Sequence, residues 1–294
     1  MDEVRKIVKK SSLKRTLEII IGGGVTLILY GVGEGAFYLY PTNIWLTSIL
    51  LLAAVLALLG WYVLFIKIFE HRPVYELNLK KMIPHTGKGF VIGFCYFIAL
   101  VGVMALLGCY DIGLVRYNGG KLLVFFLLYL LVAVGEEILC RGIIFRLLDE
   151  ATGFNKALIF SAFLFGFMHM GNEGATIWSS IAISIEAGLM LAVSYKLAGT
   201  LWLPIGIHWA WNFTQGTILG FAVSGHSRMY SLIRPRINGP DILTGGNFGA
   251  EASIIAVVLG AAISFWIYMK IMKKTVEAPE EETMCLTDEE ETQP

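Results

Sequence analysis

An all-α, polytopic membrane protein is the fold class this sequence predicts, and three observations carry it. Hydrophobic residues make up 56% of the chain, charged residues only 16%, and the apolar residues gather into about eight long runs. A soluble domain is about one quarter charged, so lipid is the expected solvent. A bilayer core about 30 Å thick needs roughly 20 apolar residues per helix. Because the runs are continuous, without the alternation of barrel strands, they are read as helices.

The runs fall at Leu17–Tyr38, Ile44–Ile66, Gly89–Cys109, Leu122–Leu148, Ala157–Met170, Ala175–Tyr195, Leu201–Phe221 and Ala252–Ile271. The first follows MDEVRKIVKKSSLKR, which is too polar for the start of a cleavable signal and precedes no A-x-A site. It is therefore expected to be a retained span. The fourth run is the longest and carries charges in its second half; the fifth is short. Residues 1–15 are then a basic cytoplasmic N-terminus, 16–275 the membrane domain, and 276–294, with EAPEEE and DEEE, a disordered acidic tail. The segment Gly225–Glu251 is long for a membrane loop and rich in turn residues, which suits a cap over the extracytoplasmic face.

Eight spans put both termini on one side. With the N-terminus inside, 18 of the 23 Lys and Arg residues fall in cytoplasmic segments, which supports an N-in, C-in topology. The net charge is zero, so no global field points to nucleic acid as a partner. The four cysteines, Cys95, Cys109, Cys140 and Cys285, form no CxxC pair, and neither a disulfide framework nor a thiolate metal site is expected.

An ionisable residue inside an apolar span costs a few kcal/mol, so each is a functional hypothesis. After Lys121 no charge occurs until Glu136-Glu137-Ile138-Leu139-Cys140-Arg141. Glu137 and Arg141 are four apart, on one helix face where they can pair; Glu136 is rotated about 100° away. The fifth run offers Phe165 and His169, the seventh His208 and Asn212, each pair again at i,i+4. Two carboxylates, a guanidinium, two imidazoles and an amide from three spans suit acid/base chemistry on an amide. Taken singly, each has a plainer reading. An intramembrane His is more often a packed side chain, Glu137–Arg141 equally suits a structural ion pair, and Glu186 in the sixth run suits a hydrogen bond between helices. His71, His85 and His226 fall in expected loops and are read as solvated. The depths also conflict, with His169 ~18 Å along its run and His208 only ~10 Å into its own.

In combination, the three motifs EExxxR, FxxxH and HxxxN resemble those of the CAAX-protease and bacteriocin-processing family of intramembrane endopeptidases, with the likeness running from Leu122 to Gly220. This resemblance implies a peptidase in which Glu136 and His169 activate a water, His208 and Asn212 stabilise the oxyanion, and Glu137 and Arg141 support the site. It also implies a membrane-associated peptide or protein as substrate, the lipid bilayer as partner, and a multi-pass protein of a cell membrane, the bacterial plasma membrane by its likeness to bacterial members. Such sites have been read both as zinc centres, which here would use Glu136, His169 and His208, and as metal-free glutamate sites. HExxH is missing, and the metal-free scheme is the one expected. Two other functions fit the same charges: a proton- or ion-coupled transporter using Glu136, Glu186 and the histidines, and a non-catalytic immunity protein of the same fold. A cavity open towards the cytoplasmic half is expected for the site.

Overall fold

The computed structural model describes residues 12–290, with side chains to Thr275. Each of the eight apolar runs is helical. The helices are α1 (Ser12–Leu39), α2 (Ile44–Phe65), α3 (Leu79–Leu106), α4 (Gly119–Glu137), α5 (Arg146–Thr152), α6 (Phe154–Met168), α7 (Ile177–Ile183), α8 (Leu189–Ala198), α9 (Trp202–Asn212), the short α10 (Asp241–Thr244) and α11 (Ile254–Glu290). The π-helical turns Ile138–Phe145 and Ser184–Gly188 join α4 to α5 and α7 to α8 into continuous rods, and a third, Phe213–Ile218, extends α9. Six of these segments, among them Gly119–Thr152 and Ile177–Ala198, are long and apolar enough to cross a membrane. The shorter α6 and α9 complete the bundle. Much of the expected basic N-terminus (1–11) lies outside the described residues, as does the end of the acidic tail (291–294), and α11 continues through 276–290 of that tail.

The third helix begins ten residues before the apolar run that marks it. Asn78 caps α3 by accepting from the Lys80 amide, so the polar turn KKMIPHTGK is helical too. As a result His85 is a half-buried helix residue, its Nδ1 2.8 Å from Thr200 Oγ1, and no solvated loop histidine. His71 is exposed, in a left-handed conformation at the end of the α2 rod.

Packing between helices relies on small residues. A Cβ on Gly89 would lie 2.3 Å from the Leu203 carbonyl oxygen, one on Gly93 2.3 Å from that of Ile207, and one on Gly206 2.3 Å from that of Thr86. The backbones of α3 and α9 therefore meet directly, which fixes the height and rotation of the helix that carries His208. At the end holding residues 66–78 and 146–156, Arg146 binds Glu70 and Glu150 while Arg72 binds Glu76 at 2.7 Å. Lys196 reaches Asp149 across the same end at 2.6 Å.

The opposite end is closed by the chain between α9 and α11. Strands β1 (Tyr110–Val115) and β2 (Ile233–Ile237) pair antiparallel there, a small sheet inside an otherwise helical fold. The Gly174 amide donates to the Gly225 carbonyl, and that of Gly225 to Phe248. The long loop thus caps the end of the bundle where α6 turns into α7.

Candidate active site

The sequence motifs sit where regular α-helix stops. Glu136 and Glu137 end α4 just before one π turn, Asn212 ends α9 just before another, and His169 opens a 3-10 turn after α6. Wider or tighter turns shift side chains off the α-helical register, and such turns recur at functional sites. The depth conflict also disappears in the packed bundle: His169 Nε2 and His208 Nε2 each stand 3.9 Å from Glu136 Oε2.

Glu137 is completely buried and organises what lies behind Glu136. Its Oε1 accepts from Arg141 Nη1 at 2.8 Å and faces His208 Nδ1 at 3.0 Å. The Arg141 guanidinium also donates to the Gly188 carbonyl at 3.2 Å, within reach of Ala187, carbonyls in the π turn of the neighbouring rod. Its Cζ lies 4.5 Å from the centroid of the Phe165 ring. Phe165 therefore backs both Arg141 and His169, whose ring is 4.8 Å from its own, and its carbonyl lies 2.7 Å from His169 Nδ1. Each imidazole thus has one nitrogen occupied and presents Nε2 towards Glu136.

The site opens into a cavity of about 280 Å³ whose wall includes Glu136, His169 and Asn212. His208 lies behind that wall, touching Glu136. Further wall comes from, among others, Tyr30, Glu34 and Tyr38 of α1, Tyr129 of α4, and the segment Phe221–Met229, with exposed His226 at the rim. The mouth therefore lies at the capped end of the bundle, the end that holds 221–251. A cytoplasmic opening combined with a cytoplasmic N-terminus is thereby overturned, because α1 starts at the opposite end from the mouth.

Several residues of this region have no motif in the sequence. Glu251, which is buried, accepts from the Ser224 amide and from Trp211 Nε1 at 3.1 Å. Asn172 Nδ2 holds the Ser224 carbonyl at 2.5 Å, so the Ser224 peptide is clamped at both ends in a left-handed conformation (φ 50°). Burial moves the Glu251 carboxyl above its usual range, partly offset by the hydrogen bonds from Trp211 and Ser224. An acidic residue beside the last apolar run was the only signal for it. Glu186, by contrast, is off the cavity wall and accepts from Tyr96 Oη at 3.1 Å, a contact between helices.

A tetrahedral zinc with donors at about 2.0–2.1 Å separates its ligand atoms by roughly 3.4 Å, and a 3.9 Å separation would open the angle at the metal to about 144°. Both Glu136–His distances are that wide, and no group of three metal-binding side chains occurs among the described residues. As placed, the donors do not fit tetrahedral zinc. They suit a water, which hydrogen-bonds at about 2.8 Å and bridges such gaps.

A helical bundle with six segments fit to cross a membrane here gathers carboxylates, imidazoles and an amide around one cavity, a set of groups that suits a membrane-embedded enzyme. Comparison with protein families narrows this class: residues 118–214 match the family model described as Rce1-like, type II CAAX prenyl endopeptidase Rce1-like. That stretch, about a third of the chain from α4 to the turn after Asn212, is thus similar to a domain of the CAAX prenyl endopeptidase type. No curated protein and no solved structure matches the chain.

Proposed function

We propose that the protein is an intramembrane endopeptidase that hydrolyses a peptide bond of a membrane-associated substrate with a glutamate-activated water. The observation that carries this reading is the convergence of His169 and His208 on the same Glu136 oxygen, each at 3.9 Å, at the base of a cavity. Glu136 Oε2 is itself buried without a hydrogen-bond partner, an arrangement that is costly unless it serves a reactant.

In this scheme His169 donates Nδ1–H to the Phe165 carbonyl, which leaves the Nε2 lone pair to hold a water beside Glu136. Glu136 takes one proton from that water as its oxygen adds to the substrate carbonyl carbon, forming a tetrahedral oxyanion. Asn212 donates its amide N–H to the oxyanion. His208, with Nδ1–H given to Glu137, donates from Nε2 as an imidazolium, whose charge Glu137 balances. Glu136 then passes its proton to the leaving nitrogen as the C–N bond breaks, which releases an amine and a carboxylic acid. Every proton is accounted for by this chain and the water.

Proteomics of membrane peptides from cells with wild-type protein or the Glu136→Gln variant supplies the substrate, and the purified pair then tests the mechanism. Glu136→Gln abolishes cleavage while the protein stays folded, and Asn212→Ala leaves a rate about 10²–10³-fold below wild type. Activity withstands chelators. Loss of activity on chelation, with restoration by zinc, would replace the glutamate scheme with a metal one.

A further inference from the structure

We infer that Glu34 selects a substrate segment that presents a cationic group, a Lys or Arg side chain or an amino terminus, at the mouth of this cavity, and disfavours one that ends there in a free carboxylate. The inference rests on the peptidase reading and names the substrate class of that site.

Glu34 belongs to a stripe on α1, Thr26, Tyr30, Glu34 and Tyr38, spaced four apart and all on the cavity wall. Residues at this spacing share one helix face, so the carboxylate is flanked by a phenol ring one turn below and another one turn above. A carboxyl group with aromatic rings one turn away on either side suits an ammonium or guanidinium, whose methylene stem the rings can cover. Glu34, Glu136 and His226 all line this one cavity. Two carboxylates therefore face one cavity of about 280 Å³, and their mutual repulsion falls when a cation lies between them.

No Lys or Arg lines this cavity among the described residues. Arg141, the guanidinium of the site, is committed to Glu137 and to the carbonyls of the neighbouring rod, behind the Phe165 ring. Arg228 lines a separate surface hollow together with Glu173. A substrate carboxylate entering here would meet two acidic side chains and, apart from the rim imidazole of His226, no basic one.

The test uses the full chain in zwitterionic detergent and three single-tailed probes of equal length: N-dodecanoyl-lysine amide, N-dodecanoyl-norleucine amide and N-dodecanoyl-norleucine with a free carboxylate. Binding is read by thermophoresis of the labelled protein. The lysine amide binds about 5-fold tighter than the neutral amide, as expected for a partly exposed ion pair, and the free acid binds weakest. Glu34→Gln removes the preference for the cation, and Glu34→Lys reverses the order. Equal binding of all three probes, absence of binding, or a charge preference that survives Glu34→Gln would overturn the inference. Because the readout is binding, it is independent of hydrolysis: a chain that ranks the probes by charge but cleaves no peptide would fail the peptidase reading alone.

Discussion

Replacing Arg141 by Ala tests the organisation of the site more directly than replacing a residue on the cavity. Arg141 is 1% exposed and its partner Glu137 is fully buried, so the variant leaves a carboxylate in the bundle interior with only His208 beside it. Breaking a buried pair in this way costs about 3–5 kcal/mol. The lost stacking on Phe165 adds up to about 2 kcal/mol. Against a total stability of about 5–15 kcal/mol, most of the folded population at growth temperature is at risk. Denaturant unfolding in detergent micelles, followed by tryptophan fluorescence, measures the loss. Arg141→Lys keeps the charge but cannot reach both Glu137 and the Gly188 carbonyl, and falls between the two. The double variant Glu137→Gln/Arg141→Met removes both charges and regains part of the stability, yet stays inactive because His208 loses the carboxylate that orients it. If Arg141→Ala unfolds within about 1 kcal/mol of wild type, the pair is not the internal support described here.

Two further outcomes follow from the packing and the cap. Gly93→Ala forces apart one of the close approaches of α3 and α9 and destabilises the fold by about 1–3 kcal/mol, whereas Gly102→Ala, where a Cβ meets nothing within 4 Å, is tolerated; similar melting of the two variants would remove glycine contact as the reason for the packing. For the topology, which rests on the bias of basic residues, an impermeant maleimide labels Ser227→Cys in intact cells and labels Glu150→Cys only after permeabilisation, since these exposed or partly exposed positions sit at opposite ends of the bundle. The reverse pattern would invert the protein and place the cavity mouth in the cytoplasm.

The sequence alone determined the solvent, the helical class and the identity of the polar groups that enter the membrane. Apolar runs of span length leave no alternative way to satisfy the backbone, and a charge inside such a run is too costly to be incidental. Spacing within one helix was equally legible: Glu137 with Arg141 pair as their i,i+4 positions require. What spacing could not give is any distance between helices. That His169 and His208 meet at one oxygen of Glu136 depends on how the helices pack, including the glycine contact that sets α9 against α3, a product of segments far apart in sequence. Which end of the bundle the cavity opens at was not legible for the same reason, since its mouth is built from α1 and from the 221–229 segment, which carry no motif. Glu34 and Glu251 are isolated acids in the sequence; only the tertiary structure turns one towards the cavity and ties the other to Ser224, because a side chain acquires its partners from the helices brought beside it.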